Sequence, residues 1–180
     1  MDIVVETDVI PQEGETVLGN KAYFIPGGKG ANQSVALARL GAEVEMIGAV
    51  GKDSFGQEML AAMRAEGIGY AAVKQIPEAA TGIALIQLCQ KDNRITVVPG
   101  ANHCCLPVDV DAHEELIKEA DLVLLQMEIP LETVAHAARI AKKHGKTVIL
   151  NPAPAQVLGE ELLQQIDYIT PNRSELAILA

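Results

Sequence analysis

Tryptophan is absent from this 180-residue sequence, and aromatic residues together make up only 3% of it. Positive charge is scarce as well: 14 lysines and arginines stand against 24 aspartates and glutamates, a formal net charge of −10. A nucleic-acid-binding surface is normally basic, so this balance argues against a nucleic-acid partner. It leaves phosphate compounds open as ligands, because their sites rely on local backbone N–H groups and a few cations. No apolar run approaches the roughly 20 residues a membrane span needs, so no membrane partner is expected. The first residues, MDIVVETDVIPQEGET, carry acids at Asp2, Glu6 and Asp8 and no basic region, unlike a secretory signal. Only three cysteines occur, Cys89, Cys104 and Cys105. Without framework spacing they point to reduced thiols and a cytoplasmic location. His103 beside Cys104 and Cys105 invites a metal reading, but no second ligand cluster stands at finger-like spacing, and a loop of small residues is the plainer reading.

What is present is the make-up of an α/β protein, 49% apolar and 21% charged. The length suits one domain, and a domain of about 150 residues buries roughly 70% of its unfolded surface. Helix and strand signals alternate. Residues 31–40 carry Ala31, Val35 and Ala38 at helical spacing and stop at Gly41; 43–50 (EVEMIGAV) read as a strand; Gly51-Lys52-Asp53 reads as a turn; 55–66 stack Phe55, Met59 and Met63 on one helical face before Gly67. Such strand-flanked helices are the material of βαβ units. Residues 81–98 differ. TGIALIQL alternates two faces, Lys91-Asp92-Asn93 supplies a turn, and RITVV (94–98) returns, which makes a hairpin. A weaker strand signal lies within 15–24, and together these form a small β-element apart from the main sheet. Alternation then resumes: helix 114–119, the unbroken apolar strand LVLLQ (122–126), helix 133–143 closed by His144 and Gly145, strand TVIL (147–150), a short helix 160–165, strand 168–170 and a helix from Ser174 to Ala180.

Four stretches carry chemistry. PGGKGANQ (26–33) sets three glycines around Lys29 at a helix entry, where backbone can approach a ligand closely and leave helix N–H groups pointing at it. It matches neither a P-loop nor the dinucleotide fingerprint, and a tight turn with a solvated lysine stays open. Glu128, in QMEIP, falls just past the carboxyl end of a buried strand, where open α/β sheets place ligands. A carboxylate there accepts hydrogen bonds from two hydroxyls, and a solvated loop acid is the alternative. Asn172 and Glu175 in TPNRSE are three apart at a helix start. They suit either a hydrated Mg²⁺, which keeps its waters, or a capping box. Asp2, before Ile3-Val4-Val5, is either a site residue or simply terminal.

Taken in order, QEGETVLGN, GGKGANQSVALARLGAEVEMIGAVGKDSFG, TGIALIQL, the GAN of Gly100 to Asn102, LNPAPA and ITPNRSE resemble the PfkB family of carbohydrate kinases through nearly the whole chain. LNPAPA followed by ITPN looks more like its ribokinase branch than its fructokinases or adenosine kinases. The resemblance implies an α/β fold, a ribokinase-like Rossmann-type three-layer sandwich with a small β-sheet lid. Residues 1–180 would be a partial kinase domain, incomplete at both ends, with lid elements near 15–25 and 81–98. It implies ATP-dependent phosphorylation of a sugar, ribose at its 5-hydroxyl, with fructose, 2-keto-3-deoxygluconate or a nucleoside as alternative substrates and a non-catalytic sugar-binding product as an alternative function. Asp2, Gly28, Lys29, Asn32 and Glu128 match sugar-binding positions. Ala84 and Ile86 match apolar lid positions over the sugar. Asn172 and Glu175 match the N-x-x-E motif that organises Mg²⁺ and nucleotide phosphates, with Glu175 reaching the metal through water. The lid implies a homodimer in the full-length enzyme. The chain starts inside the family's first strand and stops after N-x-x-E. The Gly-Ala-Gly-Asp loop with the catalytic base, and the monovalent-cation (K⁺) site, are therefore expected outside these residues. The 180 residues alone are expected to lack kinase activity.

Overall fold

A computed structural model of the chain describes residues 1–90 and 92–179. Strand β1 (Asp2–Glu6) lies between β2 (Lys21–Ile25), to which it is antiparallel, and β5 (Ile83–Cys89), to which it is parallel. β5 turns into β6 (Asp92–Val98), giving a four-stranded sheet of order β2-β1-β5-β6. β3 (Gly48–Gly51) pairs in parallel with β4 (Val73–Ile76). A third sheet runs β7 (Leu122–Leu125), β8 (Thr147–Leu150), β9 (Tyr168–Ile169), all parallel. The helices are α1 (Lys29–Arg39), α2 (Ser54–Ala65), α3 (Pro107–Ala112), α4 (Glu114–Glu119), α5 (Leu131–Lys143), α6 (Glu160–Leu163) and α7 (Arg173–Leu179), with a 3-10 turn over Gly100–Cys104. Among the described residues no helix is long and apolar enough to cross a membrane.

Several expectations are corrected. The strand read over 43–50 shrinks to Gly48–Gly51, with only a single bridge from Glu45 to Gly69 before it. Its partner β4 begins at Val73, opposite Gly48, so the ladder has nothing to pair with earlier. β4 itself, VKQI, is too short and too polar to announce itself. α1 starts two residues earlier than its apolar spacing suggests, because Gly28 at φ +96° ends the preceding loop. The hairpin is tighter than expected: Asp92 and Asn93 are already in β6, Cys89 pairs with Asp92, and Gln90 takes a positive φ of 51°. Lys91 of that expected turn lies outside the described residues, as does Ala180 of the last helix. The small β-element is a separate sheet, as expected, but β1 belongs to it and joins its two halves. α3 is an element the sequence pattern does not announce: Pro107 sits in its first turn, and the Asp109 carboxylate accepts the Leu106 amide at 2.6 Å.

Among the described residues two larger cores, and a small one of Ala49, Ala101 and Cys105, hold the elements. α5 turns Val134, Ala137, Ala138 and Ala141 onto Val148 and Leu150 of β8, and all six are buried. Full burial of a Val or Leu side chain contributes about 1.5–3 kcal/mol, so this contact dominates its half of the chain. The second core joins Met59 and Met63 of α2 to Val50 of β3, Val73 of β4, Ile68 and Met1. Because Met1 packs there, the start of β1 is fixed relative to β3.

Candidate functional site

The glycine-rich segment lies where β2 gives way to α1. Gly27 is buried against the first residue of β1: any β-carbon on Gly27 would overlap the Asp2 carboxylate. The next glycine, Gly28, has a φ of +96° that L side chains rarely adopt, and its α-carbon faces Glu128. Glu128 Oε2 accepts the Lys29 amide at 2.8 Å. The first N–H groups of a helix have no partner within it, and α1 has no side-chain cap from Gly28, so Glu128 fills that role from across the molecule. Two carboxylates distant in sequence thus converge on consecutive glycines, Asp2 on Gly27 and Glu128 on Gly28.

Glu128 is positioned by β7, whose apolar run ends at Leu125 and delivers Gln126 and Glu128 beyond its carboxyl end. Gln126 donates a short hydrogen bond to Gln33 of α1 and crowds Gly30, where a β-carbon would stand 2.9 Å from its Oε1. An alanine at position 30 would have to push the end of the Gln126 side chain aside. The opposite wall comes from β5. Ala84 is in register with Asp2, and Ile86 with Val4. Behind them, Asp53 caps α2 by accepting the Gly56 amide at 2.8 Å and also accepts the Thr81 amide at 2.8 Å and hydroxyl at 2.6 Å. The Thr81 oxygen in turn accepts the Gly51 amide at 2.9 Å. Burial pushes the Asp53 carboxyl up, but these hydrogen bonds outweigh it and hold it below the usual carboxylate range. The network ties the end of β3, the start of α2 and the entry to β5 to one another.

A cavity of about 770 Å³ takes in Asp2, Gly27, Gly28, Ala84, Asn102 and Glu128. The Met1 ammonium stands at its edge and donates to the Gly82 carbonyl at 3.0 Å; burial pushes its pKa down, against the pull of Asp2 and Glu128. Of the residues expected to form the site, Asp2, Gly28, Ala84 and Glu128 therefore come together. Lys29 contributes its amide. Asn32 is exposed on α1, where its amide bonds the Gly28 carbonyl, and it does not line the cavity. Ile86 lies one pleat beyond Ala84, half-buried and also off the lining. Asn172 and Glu175 lie away from this cavity and form a reciprocal cap: Glu175 accepts the Asn172 amide at 2.7 Å and side-chain nitrogen at 2.8 Å, while Asn172 Oδ1 accepts the Glu175 amide at 2.8 Å. Sequence reasoning passed over Gly27, Gln126, Asp53 and Thr81. Gly27 was visible within PGGKGANQ, but its partner Asp2 is fixed only by tertiary structure. Among the described residues no group of three or more His, Cys, Asp or Glu could hold a metal ion directly.

The family pattern described as pfkB family carbohydrate kinase matches residues 1–180. The chain is 47% identical over 176 residues to a ribokinase of Lactococcus lactis subsp. lactis (strain IL1403), covering 97% of this chain and 58% of the relative. It is 44% identical over 179 residues to a ribokinase of Bacillus subtilis (strain 168), covering 99% and 61%. The structure of Arabidopsis thaliana ribokinase complexed with ribose and ATP superposes with a TM-score of 0.91 at 34% identity, over 99% of this chain and 59% of that one. The chain thus spans about three fifths of the length of the relatives it matches.

Proposed function

Because the chain belongs to the pfkB family of carbohydrate kinases, we propose that it forms the sugar-holding part of an ATP-dependent kinase acting on D-ribose, with D-ribose 5-phosphate and ADP as products. The observation that carries the reading is the convergence of Asp2 and Glu128 on the glycine pair. Acceptor-only carboxylates beside side-chain-free backbone suit a ligand made of hydroxyls. The relatives at 44–47% identity are ribokinases, and the Arabidopsis enzyme was solved with ribose and ATP.

In this reading Asp2 and the Glu128 oxygen not engaged by Lys29 accept from sugar hydroxyls. Each such charge-assisted hydrogen bond contributes about 1.5–3 kcal/mol. A sugar lacking those hydroxyls leaves a carboxylate unpaired and is rejected. Gly28 and the Lys29 backbone form the floor, with Lys29 and Asn32 as further sugar contacts at the α1 entry. Ala84 and Ile86 on β5 cover the sugar, so the four-stranded sheet acts as a lid that keeps water from competing as acceptor. Phe24, Ile25, Ile95 and Val97 are exposed on that sheet, which supports a homodimer formed through it in the full-length enzyme. Asn172 and Glu175 serve the nucleotide side. Glu175 is half-buried and already accepts from Asn172, which fits an Mg²⁺ that keeps most of its waters rather than one gripped directly. When bound, Mg²⁺ supplies charge neutralisation to the phosphates. Transfer of this kind rests on positioning and electrostatics. These residues supply the acceptor's position, while the catalytic base and K⁺ site are expected in sequence beyond them. The test is calorimetric titration of the chain with D-ribose. Asp2→Ala and Glu128→Ala are each expected to weaken binding by about tenfold or more, in line with one lost charge-assisted bond. Affinities within about twofold of wild type for both variants remove the assignment.

A further inference from the structure

The cavity around Asp2 and Glu128 is rich in acceptors and poor in donors. Both carboxylates can only accept, and Glu128 already accepts from the Lys29 amide. A sugar hydroxyl that donates to either one keeps lone pairs on its own oxygen, and these need a donor. Most donor-bearing side chains on the cavity wall are engaged within the protein. Ser34 donates to the Gly30 carbonyl at 2.9 Å, and the Thr81 hydroxyl donates to Asp53 at 2.6 Å. Gln126 donates to Gln33, which ties those two amides to each other. Asn102 is the exception. It lines the cavity, and among the described residues its carboxamide has no hydrogen-bond partner.

The turn that carries Asn102 is firmly anchored. Ala101 within it and Cys105 just past it are buried, and the Ala101 amide donates to the Ala80 carbonyl at 2.8 Å. The Asn102 amide donates to the Pro99 carbonyl at 3.1 Å, and the Asn102 carbonyl accepts from the Cys105 amide at 3.1 Å. From this turn the side chain reaches the start of β5. A β-carbon on Gly82 would stand 2.5 Å from the Pro99 carbonyl oxygen and 3.2 Å from Asn102 Nδ2. Gly82 comes two residues before Ala84 and so shares its face of the strand. Ala84 in turn is in register with Asp2. Two residues along a strand span about 7 Å. Asn102 therefore belongs to the same wall as Ala84, one pleat back, and its backbone is ordered before any ligand arrives, which lowers the entropic cost of using it.

We propose that Asn102 is a specificity-determining contact of this site. Its carboxamide donates to the oxygen of a ribose hydroxyl whose proton goes to Asp2 or Glu128, so one hydroxyl is read from both sides. The proposal rests on the sugar reading of Asp2 and Glu128 and adds the donor that reading lacks. It is tested by calorimetric titration of the 180-residue chain, Asn102→Ala and Asn102→Asp with D-ribose and with its analogues deoxygenated at each carbon in turn. Asn102→Ala is expected to bind ribose about fivefold or more weakly than wild type. Aspartate keeps the size and an acceptor but has no N–H, so Asn102→Asp should fall at least as far. One deoxy analogue should bind wild type and Asn102→Ala within about twofold of each other, because the hydroxyl that Asn102 reads is then absent. A purely structural role would carry the same loss to every sugar. On the wild-type chain, the Asn102 side-chain NH₂ resonances should shift along the ribose saturation curve. Ribose binding by Asn102→Ala within about twofold of wild type, an equal loss on every analogue, or NH₂ resonances that stay still would overturn the proposal and leave the Asp2–Glu128 reading standing. No ribose binding by the wild-type chain removes both.

Discussion

Glu128 has two duties in this account, and replacing it separates them. In the structure its Oε2 accepts the Lys29 amide at 2.8 Å, at the open start of α1. Glu128→Ala leaves that N–H without its partner and removes a negative charge from the helix N-terminus. A hydrogen bond to a charged group is worth about 1.5–3 kcal/mol and the helix-end charge about 0.3–1 kcal/mol. Lys29 is only half-buried, so water recovers part of the loss, and about 2 kcal/mol is the expected cost to stability. In a chain of this size 1 kcal/mol moves Tm by roughly 2–4 °C, so Glu128→Ala should melt about 4–8 °C below wild type. Glu128→Gln keeps an acceptor oxygen in place and gives up mainly the charge, so it should lose only about 1–4 °C. Scanning calorimetry without ligand reads the structural duty; ribose titration of the glutamine variant, whose fold is largely kept, reads the binding duty. An alanine variant melting within about 1 °C of wild type, or a glutamine variant as unstable as the alanine one, would refute the clamp between β7 and α1.

Gly27→Ala should leave Tm nearly unchanged, because the displaced neighbour is the end of the Asp2 side chain rather than backbone, yet weaken ribose binding by about tenfold or more as that carboxylate swings away; calorimetric titration beside a melt checks both halves. Glu114 joins α4 to Lys143 and His144, at 2.7 and 2.6 Å, and these hydrogen bonds push its carboxyl down to about 2. A depressed carboxyl stabilises the fold above its ordinary range and loses that contribution as pH falls through the folded value, so Tm should drop between about pH 4.5 and pH 2, and less steeply in Glu114→Gln. Burial pushes the Cys105 thiol up to about 11, so at neutral pH an aromatic disulfide reagent should titrate Cys89 and Cys104 in the native chain and reach Cys105 only on unfolding.

The features legible in the sequence were those with local causes. The unbroken LVLL run announces a strand, and that alone places Glu128 past its carboxyl end; its reading as buried is corrected, since Leu122 is exposed and of the four only Leu125 is buried. The spacing of Met59 and Met63 announces a helix with one buried side. PGGKGANQ announces close backbone approach at a helix entry. What could not be read depends on partners far away in the chain. β3 is short because β4 starts late. Gly27 matters because Asp2 is beside it. Asp53 looked like a turn residue and instead anchors Thr81 at the entry to β5. Asn172 and Glu175 left two readings open, and their mutual hydrogen bonds show the capping box in place.

The central claim is that the Asp2–Glu128 convergence is a sugar site. Titrating the isotope-labelled chain with D-ribose and following backbone amides tests it most directly. Gly27, Gly28, Lys29 and Ala84 should shift together along one saturation curve, with β8 and β9 unmoved. Shifts that fail to saturate, or that saturate around other residues while these four stay still, would contradict it.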